Sequence, residues 1–206
     1  MPAQVIKVGP LGPYDNNAYV IVDTATRRSV VVDAPIGSER TIEAAAGTDV
    51  QMIIVTHRHH DHWGEIDLLK ERLAAPVFCH EGDRAPHAEK VFDTLDDGAE
   101  IPVGESVIKV IHTPGHTPGS ICLLVEGVLI SGDTLFPGGP GRSDNAPALR
   151  ELVGSIASKL LTLPGDTAVY PGHGHNTTIA EAKREYAVFA SKQHPADLHG
   201  DVAWES

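Results

Sequence analysis

Cysteine is nearly absent from this chain. Two occur, Cys79 and Cys122, each inside an apolar run ("PVFCH" and "SICLLV"). That excludes a disulfide framework and predicts two buried free thiols. Basic residues are scarce as well: 16 Lys and Arg stand against 28 Asp and Glu, for a formal net charge of −12. Phosphate backbones are held by clustered Lys and Arg. The basic residues here are scattered, which points away from nucleic acid and towards a small-molecule substrate. Long apolar runs are missing too. "MIIV" and "ICLLV" fall far short of the roughly 18 residues that a bilayer span needs, so no membrane segment is expected. The opening "MPAQVIKV" lacks the basic stretch and apolar core of a secretory signal, and a cytoplasmic protein is the resulting expectation.

What remains has an ordinary globular composition, 41% hydrophobic and 21% charged. At 206 residues the chain suits one substantial core better than two, which predicts a single domain over residues 1–206. Nothing in it speaks to oligomeric state. Short β-branched runs recur at 18–22, 29–35, 52–56, 75–80, 107–113, 121–125, 128–133 and 168–173. Glu126-Gly127 joins two of them in a predicted tight hairpin. Helical patterns fall between others: "SERTIEAAA" with Ser38 as cap, "HWGEIDLLKERLA" with Ile66, Leu69 and Leu73 on one face, "ALRELVGSIASKLLTL", and "TTIAEAKREYAVFA" capped by Thr177 or Thr178. Strands interrupted by helices predict a layered α/β fold. The Gly- and Pro-rich stretch 135–147, between a strand and a helix, reads as a loop lining a site.

Chemistry concentrates at "IIVTHRHHDHWGEI", where His57, His59, His60, Asp61 and His62 directly follow an apolar strand. Burying that many imidazoles in a core costs desolvation for little packing. A turn leaving a rigid strand can instead aim several of them at one point, as a metal site requires. Further along stand His116 in "HTPGHTPGS", Asp133 in "LISGDTLF" and His173 in "VYPGHG", each just after a strand-like run and beside Gly or Pro. Five imidazoles and two carboxylates exceed one tetrahedral zinc site, so two divalent ions about 3.5–4 Å apart are expected. Zinc is the leading candidate, with iron or manganese as alternatives.

"THRHHDHWG", "TPGHTPGS", "SGDTLFPGGPGRSD" and "PGHG", in that order, resemble the metallo-β-lactamase fold superfamily and within it the glyoxalase II-like branch. The resemblance runs from about Asn17 to His175 and implies a four-layer αββα sandwich with metals at the sheet edge. Carried over position by position, it implies His57, His59 and His116 as ligands of one ion, Asp61, His62 and His173 of the second, and Asp133 as the bridge. Asp61 and Asp133 are then the catalytic carboxylates. The implied activity is that of a hydroxyacylglutathione hydrolase-like thioesterase, in which metal-bound hydroxide cleaves an acyl thioester such as S-lactoylglutathione to an acid and a thiol. A mononuclear iron persulfide dioxygenase and a lactone hydrolase are the alternatives. The branch's helical, basic C-terminal extension has no counterpart in the short stretch after His175, and "GRSD" stands where that branch offers Lys and Tyr, which leaves the thiol carrier open.

Other polar residues draw separate expectations. Arg142 could meet a substrate carboxylate or pair with Asp144 or Glu151, and Asp33 could back the ligands or serve a turn. His60 is expected to face solvent, His112 to be structural, His175 to hydrogen-bond within its loop, and Trp63 to pack under the following helix.

Overall fold

The apolar runs are buried on both faces, and that decides the layering. In β2 (Asn16–Asp23), Tyr19 and Ile21 project into one cluster while Val20 and Val22 project into another. In β3 (Arg28–Val32), Val30 and Val32 join the first cluster and Val31 the second. Such strands must lie between two other layers.

The computed structural model, which describes residues 3–205, shows what those layers are. One six-stranded sheet runs β1 (Ala3–Leu11), β2, β3, β4 (Asp49–Ile54), β5 (Val77–Cys79) and β6 (Asp93–Thr94), in that order. It is antiparallel up to β3 and parallel thereafter. The parallel crossovers carry α1 (Glu39–Ala44), α2 (Ile66–Leu73) and the one-turn α3 (Glu81–Arg84). The second sheet uses β7 (Glu100–Val103), β8 (Ser106–His112), β9 (Ile121–Val125), β10 (Val128–Gly132), β13 (Ala168–Pro171) and β14 (Thr177–Thr178), which neighbour one another in this order. Between β10 and β13 lie a small ribbon, β11 (Leu135–Phe136) with β12 (Gly139–Pro140), and α4 (Ala146–Ser155), which continues as π-helix over Ile156–Leu160. α5 (Ile179–Ala190) follows β14.

Three apolar clusters separate four layers. Tyr19, Ile21, Val30 and Val32 meet Ile108, Val110, Leu123 and Ile130 between the sheets. Val20, Val31 and Ile53 pack on Ile66 and Leu69 of α2, and Cys122, Leu129 and Val169 pack on Leu149, Leu152 and Ile179 of α4 and α5. The αββα sandwich is therefore what the chain forms. Truncating an inter-sheet residue such as Ile21 to Ala would cost about 2–5 kcal/mol. Asp23, at the end of β2, adds a polar tie between the sheets. Its carboxylate accepts from the Thr26 amide and hydroxyl (2.8 and 2.7 Å) and, across the gap, from Glu105 N and Ser106 Oγ (3.2 and 3.1 Å).

The local expectations fare unevenly. Glu126 and Gly127 take φ +48° and +76°, the geometry of the tight hairpin turn. Thr178 caps α5, accepting from Glu181 N at 3.2 Å. Ser38 stands at the start of α1, but its hydroxyl donates to Pro35 O (2.7 Å) and the Gly37 and Ser38 amides are accepted by Glu65 instead. The helix expected from His62 begins at Ile66, because His60–His62 form a separate 3-10 turn. Cys79 and Cys122 are free and buried, and burial pushes their thiols up to about 12 and about 11. Among the described residues no helix is long and apolar enough to cross a membrane.

Candidate metal centre

All seven expected ligands converge at one end of the sandwich. β4 delivers His57, His59, Asp61 and His62 from the first sheet, and the turns after β8, β10 and β13 deliver His116, Asp133 and His173 from the second. Ligand atoms of His57, His59 and His116 lie within 4.8 Å of one another, as do those of Asp61, His62 and His173, and those of His57, His62 and Asp133. His59 Nδ1 stands 3.1 Å from His57 Nε2. Two ring nitrogens that face each other around a third, His116 Nε2, are aimed at a common centre. His116 Nε2 and Asp133 Oδ1 are buried with no hydrogen-bond partner, and buried polar atoms left unpaired are rare in native proteins without an unseen water or ion. The donor set therefore fits metal ions.

Four of the five imidazoles, all but His59, are turned by a bond on their far side, as metal-binding histidines usually are. His62 Nδ1 meets Asp33 Oδ2 at 2.8 Å, His116 Nδ1 meets the Arg142 carbonyl at 2.8 Å, and His173 Nδ1 meets the Tyr14 carbonyl at 2.7 Å. A carbonyl can only accept, so in His116 and His173 the proton sits on Nδ1 and Nε2 faces inward. His57 Nδ1 lies 3.1 Å from Thr56 Oγ1, whose hydroxyl reaches Asp33 Oδ2 at 3.0 Å. Asp33 thus backs two ligands at once and is no mere turn carboxylate; its φ of +63° is the backbone strain such a placement entails. Gly172 lies against the cluster, and a Cβ there would run into Asp133 Oδ1 and His62 Cε1.

The charges are strongly coupled. Burial and the neighbouring His62 hold His57 well below the usual histidine range, so it is neutral and able to ligate. For His62, burial opposes the charged form, but Asp33 and Asp133 outweigh it and raise the group well above its ordinary value. In His173 the same opposition is settled by hydrogen bonds with Asp133 and Asp61, which push it up to about 10. Asp133 and Asp61 are depressed in turn: burial acts against their ionisation and the surrounding imidazoles overcome it. The carboxylates demand positive charge from their surroundings, and divalent ions would supply it.

Residues 11–173 match the family described as the metallo-beta-lactamase superfamily. The chain belongs to that superfamily. It is similar to an uncharacterized protein of Aquifex aeolicus (strain VF5), at 35% identity over 91% of this chain and 98% of that one. A probable metallo-hydrolase, YqgX, of Bacillus subtilis (strain 168) is 34% identical over 82% and 90% of the two chains. A hydroxyacylglutathione hydrolase of Pseudomonas putida (strain GB-1) is 34% identical over 91% of this chain and 72% of its own length. Among solved structures, the BLEG-1 B3 metallo-beta-lactamase superposes with a TM-score of 0.77 at 29% identity, covering 88% and 97% of the two chains. ETHE1 from Myxococcus xanthus gives 0.74 at 32% identity over 91% and 86%. TTHA1623, in a di-iron-bound form, gives 0.72 at 30% identity over 87% and 97%.

Other residues of this superfamily member fall where its geometry puts them. His60 is exposed. Trp63 packs in the α2 cluster and donates to His57 O at 2.8 Å, and His112 stacks on His80 with ring centroids 3.8 Å apart. His175, expected to bond within its loop, is instead exposed, and its side chain makes no hydrogen bond among the described residues. Arg142 lies on the wall of the cleft over the cluster, with Nη1 3.7 Å from Asp144 Oδ1.

Two positions carry no sequence signal. Asn16 donates to Asp61 Oδ2 at 2.8 Å, and an asparagine at the start of a strand looks like any turn residue. Asp83, in α3, is fully buried and ties together the two loops that carry His57, His59 and His116. It accepts from Arg58 N (2.9 Å), Thr117 Oγ1 (2.5 Å) and Gly119 N (3.0 Å).

Proposed function

We propose that residues 1–206 act as one dinuclear, metal-dependent hydrolase domain that cleaves an acyl thioester, such as S-lactoylglutathione, to an acid and a thiol. His57, His59 and His116 hold one ion, Asp61, His62 and His173 hold the other, and Asp133 bridges them. The observation that carries this reading is the position of Asp133, 4.0 and 3.8 Å from His57 and His116 on one side and 3.5 and 3.3 Å from His62 and His173 on the other. Divalent ions there, zinc or alternatively iron or manganese, supply a Lewis acid for the carbonyl and lower the pKa of water from 15.7 to about 7. The chain's own contribution is orientation: Asp33, Thr56 and the carbonyls of Tyr14 and Arg142 fix His62, His57, His173 and His116 beforehand. Above the cluster, a cleft of about 510 Å³ lined by Tyr14, Phe136, Pro137 and Arg142 offers room for a small acyl donor. The identity to a hydroxyacylglutathione hydrolase supports the thioester.

Metal analysis of purified protein should find about two equivalents per chain. The zinc form should release free thiol at the rate of acid formation and consume no oxygen. The likeness to ETHE1 supports a second reading, a mononuclear iron persulfide dioxygenase. It takes over if the iron form consumes dioxygen with glutathione persulfide while the zinc form leaves every thioester intact.

A further inference from the structure

The cleft over the metal cluster is closed on one side by the C-terminal segment of the chain. Ser143 and Gly200 exchange backbone hydrogen bonds of 3.1 and 3.0 Å, and Trp204 N donates to Gly138 O at 2.8 Å. The Trp204 side chain is fully buried, edge-on to Phe189 and Tyr186 of α5 at 4.9 and 5.4 Å. Gly139 is packed so closely that a Cβ there would stand 2.5 Å from Val202 O. From the other side, the buried Glu185 of α5 accepts from Gly138 N at 2.9 Å. Residues 200–204 are therefore a fixed wall, and Asp201, Val202 and Ala203 face the same cleft as His116, Asp133 and His173.

Register puts charge on that wall. The antiparallel bridge pairs Ser143 with Gly200, so Arg142 stands across from Asp201, one step further along. Apart from the proposed ligands, these two are the charged residues that line the cleft. Arg142 is also engaged by Asp144, and Asp201 has no ion-pair partner among the described residues. At the mouth the Arg142 guanidinium is thus offset by Asp144 outside the cleft, and Asp201 stands on the wall as an unpaired carboxylate.

We propose that Asp201 is a specificity-determining residue and that this wall makes the cleft select acyl thioesters whose thiol half is uncharged or ends in an ammonium group, against thiols that end in carboxylate. The inference rests on the hydrolase reading for the acyl end and adds the chemistry of the other end. Glutathione, with two carboxylates and one ammonium, is by this argument a weaker thiol half than a neutral or ammonium-ended one, so S-lactoylglutathione would be hydrolysed with a higher KM than such thioesters. Arg142 does not rescue it, because its guanidinium is already engaged by Asp144, which leaves Asp201 unopposed on the wall.

The test titrates metal-loaded protein calorimetrically with three non-cleavable thioethers that share one alkyl group and differ in their tail: ammonium, neutral amide or carboxylate. Affinity should fall in that order, by about two- to fivefold per step at low salt, the range for exposed charges, and the steps should shrink in about 0.5 M salt. Asp201→Asn should level the series and Asp201→Lys invert it. Circular dichroism and Trp204 fluorescence should stay unchanged, since Asp201 is exposed. Equal affinities for the three tails, a carboxylate tail bound tightest by the native protein, or an unaltered order in Asp201→Lys would overturn the proposal. The same tails presented as thioesters keep the two readings apart. If none is hydrolysed while the charge order holds, the thioesterase falls and the selective wall stands.

Discussion

Replacing Asp83 with alanine removes a carboxylate that accepts three hydrogen bonds inside the protein. Thr117 Oγ1 keeps Ser120 Oγ as a partner at 2.7 Å, so the lasting damage is to two amides, Arg58 N and Gly119 N. An unsatisfied buried donor costs about 1–3 kcal/mol, which puts the loss at roughly 2–6 kcal/mol, a large part of the ~5–15 kcal/mol that holds a domain together. Asparagine keeps the shape, but its amide end turns one donor onto another. If its oxygen stays with Arg58 N and Thr117 Oγ1, Gly119 N alone is orphaned and the loss is about 1–3 kcal/mol. Chemical denaturation should give midpoints in the order native, Asn, Ala with an unchanged slope. Because the two loops carry His57, His59 and His116, metal analysis of the Asn variant should show the ion of that triad lost before the other. A native midpoint and full metal content in Asp83→Ala would refute this account of how the loops are held.

Asp133→Asn should remove most activity and loosen at least one ion, whereas His60→Ala, on an exposed ring, should change little; equal losses would reverse the roles assigned to bridge and bystander. Hydrogen bonds from the Thr26 hydroxyl and amide, helped by Ser106 and Glu105, pull Asp23 down to about 2. Its contribution to stability is therefore complete above the ordinary carboxylate value and drains as pH falls towards about 2. In Asp23→Asn the decline in stability between about pH 4 and pH 2 should be shallower than in the native protein, as read by denaturant midpoints. With the metals stripped by chelator, His173, raised to about 10, stabilises below its unfolded value of about 6.5 and ceases to do so as pH rises towards about 10. The stripped protein should lose Tm over that span and the loaded protein should not, since a bound ion takes the place of the proton.

The motif was legible because ligand spacing is local: His57 to His62 lie on one turn, and the strand before them is a plain apolar run. The layering was legible for the same reason, since the apolar runs of β2 and β3 do not alternate with polar residues, and in the structure β2 is buried throughout and β3 from Ser29 onward. Edges were harder. β1 holds Gly9 and Pro10 and β7 holds Pro102, residues that argue against a strand and are tolerated at a sheet's margin. The start of α2 was displaced because a 3-10 turn, which aims Asp61 and His62, takes the place of its first turn. Asp83 and Asn16 left no trace because their partners are backbone amides and a side chain distant in sequence, and no periodicity records those.

The bond network that turns the imidazoles also dates the cluster in the life of the chain. His62 and His173 face each other across 111 residues of sequence, and one sheet supplies the first while the other supplies the second. A nascent chain halted before β13 would have its first sheet and four of the six strands of its second yet lack the full constellation. Contacts this distant in sequence form late, after the intervening loops have closed. Full metal loading in a cell would then be a certificate of completed folding, because the last ligand arrives only when the second sheet has docked on the first.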